Sequence, residues 1–178
     1  MKKAVLFIDG ENIQGGLREY LKDNAPLTPR LDKTIEWSTF FEYLKTKDIC
    51  VIKAVLFISQ DYLGQFRSSG YLMHNLYEFG IETKPTYVAF TENNHKKSVL
   101  DASLIVDALS TAYERPHVQV FIIGSGDKDY YPLALKLQEL GKTVYFVSLP
   151  NITSKIIDEN FEVINLTQFI RLKQLDND

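Results

Sequence analysis

Residues 118–148, VQVFIIGSGDKDYYPLALKLQELGKTVYFVS, read as a strand, a polar loop, a helix and a second strand. The runs VQVFIIG and TVYFVS are short, almost unbroken apolar stretches, the pattern of strands buried on both faces. Between them YYPLALKLQELG is a helix, with Pro132 in its first turn and Gly141 as its stop. A strand, a helix and a strand in that order form the crossover that joins parallel strands. The loop SGDKD then falls at the carboxyl end of the first strand.

The same alternation extends outward in both directions. KAVLFID (residues 3–9) is a strand followed by a helical pattern over about residues 13–22. Residues 23–35 hold two prolines and no steady period, and form a long connection. STFFEYLKTK is a helix with Ser38 as its expected N-cap, leading into the strand CVIKAVLFIS (residues 50–59). GQFRSSGYLMHNLYEFG is a helix closed by Gly80, and IETKPTYVAF is a broken strand whose Pro85 marks an edge or a bend. After the polar loop TENNHKK, SVLDASLIVDALSTAY is helical. The stretch from Asn151 mixes a short helical pattern with FEVINL. Such strands, separated by amphipathic helices, predict a three-layer α/β/α sandwich with a mainly parallel central sheet. A single domain is expected over residues 1–166, with residues 167–178 as a C-terminal tail that frays at its end.

Composition narrows the classes. At 178 residues the chain suffices for one domain with a substantial core. Its single cysteine, Cys50, excludes an internal disulfide and suits a reducing, cytoplasmic setting. No apolar run approaches a membrane span, and the run after Lys2 and Lys3 meets Asp9 too soon to serve as an export signal. The net charge of −3 provides no global attraction to a polyanion. Any such partner must be met by a local patch or through metal ions.

In parallel sheets ligands bind outside the carboxyl ends of the strands, and there the polar residues gather. The first strand delivers Asp9 and Asn12; VQVFIIG delivers Ser125, Asp127 and Asp129. If the two strands are neighbours, their carboxylates converge and call for a cation or a shared proton. Asp107 lies in SLIVDALS, a helix that reads as apolar almost all round, so its carboxylate is expected to be buried and either paired or metal-bound. Asp101, six residues earlier, is rotated about 120° away and can join Asp107 only from the helix start. Taken singly, Asp9 with Gly10 also reads as a turn, Asp127 or Asp129 as a helix cap, and Asp101 as a first-turn carboxylate favoured by the helix dipole.

VLFIDGENI, KKSVLDASLIVDAL and FIIGSGDKDYYPLALKLQELGKTVYFVS together resemble, in order, the three signature blocks of NYN domains, the bacterial branch of the PIN-like nuclease superfamily. The resemblance implies a PIN-like sandwich with a metal-dependent acidic site that cleaves RNA. It places Asp9 and Asn12 in the first block, Asp101 and Asp107 in the helix, and Ser125, Asp127 and Asp129 in the third. The family commonly carries a lysine three residues before the first helix aspartate, where this chain has Ser98, with Lys97 one place further back.

Phosphodiester hydrolysis by such a site would use Mg²⁺ or Mn²⁺ held by Asp9, Asp107 and Asp127. Asp101 or Asp129 would complete the outer shell or orient water, and Asn12 would hold a carboxylate or a substrate oxygen. Positive charge for RNA is expected from Lys97, Lys128 and Arg67, with His95 and Lys96 nearby. Tyr62, Tyr87 and Tyr130 are candidates for stacking on bases, Ser125 is a further nucleic-acid contact, and Glu11 is expected to face solvent. A binding or regulatory module with little turnover, or a metal-dependent phosphoesterase for small molecules, remain alternative readings. No P-loop pattern is present, which counts against an NTPase. Phe40, Phe41 and Tyr43 on the second helix suit a homodimer contact as well as a core.

Overall fold

The computed structural model describes residues 1–23, 29–64, 69–90 and 96–171. Its central sheet has six strands: β1 (Lys2–Asp9), β2 (Ile49–Ser59), β3 (Ile81–Thr86), β6 (Val120–Gly124), β7 (Thr143–Ser148) and β8 (Glu162–Asn165). They run in the order β3-β2-β1-β6-β7-β8, and every pairing is parallel. The two remaining strands, β4 (Val88–Phe90) and β5 (Lys96–Ser98), form a separate antiparallel pair. Pro85 is accommodated because β3 lies at the sheet edge, and the broken strand expected over residues 81–90 is β3 followed by β4.

The alternating sides of β1 build two cores. Ala4, Leu6 and Ile8 pack beneath α1 (Gly10–Tyr20), α2 (Leu31–Thr34), α3 (Trp37–Thr46), α4 (Gln60–Gly64) and α5 (Ser69–Glu78). Val5 and Phe7 face α6 (Leu100–Glu114), α7 (Tyr131–Glu139) and α8 (Lys155–Asn160) on the other side. This is the three-layer α/β/α sandwich expected from the sequence. Because side chains alternate along a strand, Asp9 continues the Val5–Phe7 side and is delivered toward α6.

Several local expectations change. Ser38 does not cap α3: the helix begins at Trp37, with Glu36 in the cap position and no side-chain cap bond. Its start is set by tertiary contacts, since the Trp37 indole donates to the Leu31 carbonyl at 2.9 Å and the Glu36 amide to the Phe169 carbonyl at 2.7 Å. Phe40 is fully buried, and Phe41 and Tyr43 are partly buried against the same core. Phe169 packs against Phe40 and Tyr43, and Ile170 bridges to Ile35. The packed unit therefore continues past residue 166. In the long connection, Asp32 is buried and pairs with Arg30 while accepting from the Asn75 amide at 2.8 Å, which fastens α2 to α5. Among the described residues no helix is long and apolar enough to cross a membrane.

Candidate nucleic-acid cleavage site

The sheet order changes direction between β1 and β6: the chain builds outward to β3 on one side, then to β8 on the other. A crevice forms at such a switch point, where neighbouring connections leave toward opposite faces. β1 and β6 are neighbours, with Ile8 opposite Gly124, so Asp9 and the loop 125–127 emerge side by side.

Asp9 caps α1, accepting the Asn12 amide on Oδ1 at 3.0 Å. The expected turn at Gly10 is instead a close approach: Gly10 is the first residue of α1, and a Cβ there would stand 2.7 Å from the Phe57 carbonyl oxygen. Asn12 spans the crevice, its Oδ1 accepting the Gly126 amide at 2.9 Å. Glu11 is not the solvent-facing neighbour expected, because its Oε1 accepts the Ser59 amide at 3.1 Å and ties α1 to the end of β2. Ser125 is fully buried and accepts the Asp127 amide at 3.2 Å. It shapes the loop, and that burial removes it from direct contact with a polymer. Asp127 caps the short 3₁₀ turn Lys128–Tyr130 by accepting the Asp129 amide at 3.0 Å, so the simple capping reading applies to it. Asp129 itself is exposed.

Tyr130 is the residue whose role the sequence concealed. It is fully buried and does not offer its ring for stacking. Its hydroxyl lies 3.1 Å from Asp9 Oδ2 and 2.9 Å from Asp101 Oδ1. A phenol carries one proton, so it can donate to only one of these carboxylates at a time. Burial pushes the Asp9 carboxyl up from its ordinary 3.8 to about 6, against the lowering effect of the Asn12 amide and the Tyr130 hydroxyl; the negative charge of Asp101 adds to the rise. Burial and the two carboxylates push the Tyr130 hydroxyl upward as well, so it remains a donor. The aromatic position in SGDKDY was the available signal, but only the fold shows where its hydroxyl points.

Asp101 sits in the first turn of α6 and reaches the site from there. Asp107 does not. It lies about 9 Å further along the helix at 1.5 Å per residue, and its carboxylate pairs with Lys84 of β3 at 2.7 and 2.9 Å. The expectation of a buried Asp107 fails because α6 is amphipathic: Leu100, Leu104, Ala108, Thr111 and Ala112 form the buried stripe. Exposed Val106 and Tyr113 made the helix look apolar all round. With the Asp107 side chain 26% exposed and Lys84 48% exposed, the pair is expected to contribute at most about 1 kcal/mol. Asp107→Asn should accordingly shift Tm only slightly, and a large fall in Tm would show that the pair with Lys84 is worth more than an exposed ion pair.

Of the other candidates, Lys128 is exposed on the 3₁₀ turn and Tyr87 is exposed after β3. Tyr62 is half-buried beneath the Arg18 guanidinium, 5.2 Å from its ring centroid. Lys96 and Lys97 lie in β5, with Lys97 paired to Ala89, and the strand leads directly into α6. Arg67 and His95 fall outside the described residues.

Among the described residues no three His, Cys, Asp or Glu side chains are grouped so as to hold a metal. The donors present nevertheless fit a hard cation that keeps much of its water. Mg²⁺ is commonly held by one or two carboxylates, with water and substrate phosphate completing its shell. Asp9 and Asp101, joined through one hydroxyl with a single proton between them, are such a pair.

A solved structure of a protein of unknown function from Vibrio parahaemolyticus RIMD 2210633 is similar to this chain, with a TM-score of 0.73 at 23% sequence identity over 96% of each chain. At that identity the likeness concerns the fold. None of the curated proteins compared matches significantly in sequence. The NYN domain matches residues 3–167, nearly the whole chain. NYN domains are a PIN-like nuclease family, and PIN-like nucleases generally use divalent metals. With that match over a fold whose Asp9 and Asp101 are joined at the switch point, the chain belongs to the NYN domain family.

Proposed function

We propose that this protein is a metal-dependent ribonuclease hydrolysing RNA phosphodiester bonds at the crevice between β1 and β6. The observation that carries the reading is the Asp9–Tyr130–Asp101 arrangement: two carboxylates at the carboxyl edge of the sheet, one buried and one exposed, sharing one hydroxyl. A divalent cation bound there, Mg²⁺ or Mn²⁺, would supply charge neutralisation at the phosphoryl oxygens and a more acidic water. Asp101 faces solvent and meets the substrate first, while Asp9 sits behind it with its orientation locked by the Asn12 amide and Tyr130. Asp127, at the end of the neighbouring strand, is the third candidate ligand, and Asp129 beside it can orient water. Asn12 keeps the two strand ends in register through Gly126.

The test is incubation of labelled single-stranded RNA with Mn²⁺, alongside Asp9→Asn and Asp101→Asn variants and an EDTA control. The unaltered protein is expected to cleave, with loss of about 10–100-fold in either variant and complete loss in EDTA. Cleavage that survives both treatments sinks the assignment. The lack of a three-acid cluster among the described residues favours one second reading, a module that binds RNA with little turnover. Tight binding without cleavage in Mn²⁺ would establish it.

A further inference from the structure

Beside the loop that carries Asp127 lies a cavity of about 580 Å³, walled by Lys128, Tyr131 and Pro132 on one side and by Ser154, Lys155 and Ile156 on the other. We propose that this cavity seats the nucleotide of a single-stranded RNA adjoining the cleaved phosphodiester, with Lys128 and Lys155 drawing its flanking phosphates. The inference rests on the ribonuclease reading above, since it extends the strand from the acidic pair into the neighbouring cleft.

Size, chemistry and position support it. The volume lies within the range of about 300–1,000 Å³ typical of small-ligand clefts. Tyr131, Pro132 and Ile156 in its walls supply apolar surface for a base, and its two lysines stand on different elements, so together they can grip a phosphodiester chain and not a single isolated charge. The wall is fixed relative to the cleavage site: the Ser154 amide donates to the Gly126 carbonyl at 2.8 Å, and Gly126 is the residue that Asn12 holds. Ser154 itself, at the start of α8, is part of the lining. Lys155 is 87% exposed and only loosely tied to Glu159, at 3.5 Å, which leaves it free to turn toward a strand. Asp129, also on the cavity lining, and Glu159 offset part of the positive charge, so binding through this cleft should be modest and strongly salt-dependent.

The test measures fluorescence anisotropy of a labelled single-stranded RNA of about ten nucleotides, with Ca²⁺ in place of Mn²⁺, across a salt series. Lys155→Ala should weaken binding by about three- to tenfold and reduce the slope of log affinity against log salt by about 0.7; the double variant with Lys128→Ala should reduce it by about 1.4. Lys45→Ala, at the end of α3 just before β2 and so at the opposite edge of the sheet, should match the unaltered protein. Polyglutamate at equal charge concentration should compete poorly. Equal binding by Lys155→Ala and the unaltered protein overturns the proposal, as does efficient displacement by polyglutamate. If the unaltered protein cleaves RNA while Lys155→Ala binds normally, the cleft fails and the ribonuclease reading stands. If RNA binding depends on Lys155 but no cleavage occurs in Mn²⁺, the cleft stands and the ribonuclease reading fails. An unaltered protein that neither binds nor cleaves ends both.

Discussion

Asp9→Asn is expected to make the metal-free protein more stable at pH 7 while removing the RNA cleavage proposed for it. Asp9 is buried, and its folded-state carboxyl is pushed from 3.8 to about 6. The folded state therefore holds this proton to higher pH than the unfolded chain does. The stability contributed by the group is fully present below about pH 4 and is lost as pH rises through 6. At pH 7 the folded protein carries a buried charge at a cost of about 3 kcal/mol. An asparagine removes that cost, can still accept the Asn12 amide, and can donate its own N–H to the Tyr130 oxygen while Tyr130 donates to Asp101. For a chain of this size, Tm at pH 7 should rise by roughly 6–10 °C. The advantage should shrink toward zero near pH 4, where Asp9 is already neutral in the folded state. Thermal melts of both proteins at several pH values, in EDTA, check this. A gain that is constant across pH would assign the effect to packing, and no gain at pH 7 would mean that Asp9 is not electrostatically frustrated. Stability given up at one residue for a function there is the pattern expected of a functional site.

Gly126→Ala should be the most damaging single methyl in the site. A Cβ at residue 126 would collide with the Ile152 carbonyl oxygen, and would stand 2.6 Å from Ser148 Oγ and 2.7 Å from the Ile152 carbonyl carbon. Two of these atoms are backbone and cannot rotate away. Gly126 also donates to Asn12 and accepts from the Ser154 amide, so any shift that relieves the clash breaks a bond on one side or the other. The expected cost is about 3 kcal/mol, a fall in Tm of roughly 6–10 °C. The proposed cleavage should also drop at temperatures where the variant is still folded, because the next residue is Asp127, a proposed ligand. Gly15→Ala is the natural comparison: it lies in the interior of α1 with nothing within 4 Å of its Cβ position, and should stabilise by about 0.5–1 kcal/mol. Equal melting temperatures for Gly126→Ala and the unaltered protein would show that the loop is not held as described.

Much of the architecture was readable from residue pattern. The runs VLFI, AVLFI and VFII are buried on both faces, and nothing but a covered parallel sheet accommodates so many of them with helices between. Local chemistry was also legible where it is local: Pro132 in the first turn of α7, Gly141 with φ of 74° after its end, and Pro85 at an edge. Where a helix start depends on a distant partner, as for Trp37 and the carbonyl of Phe169, the capping preference of Ser38 misled.

The acidic residues divide in the same way. That Asp9 and Asp127 stand at strand ends follows from sequence, because hydrophobic runs stop there. Which helix aspartate joins Asp9 does not. Asp101 and Asp107 share one helix and similar neighbours in sequence, and the choice between them depends on how α6 is rotated over the sheet, on Lys84 at the edge strand, and on the Tyr130 hydroxyl. Sequence alone determined the layers, the parallel sheet and the family, because burial and periodicity act along the chain. Only the tertiary structure decided that Asp101 meets Asp9 while Asp107 pairs with Lys84, because a side chain's partner is set by where separate elements come to rest against one another.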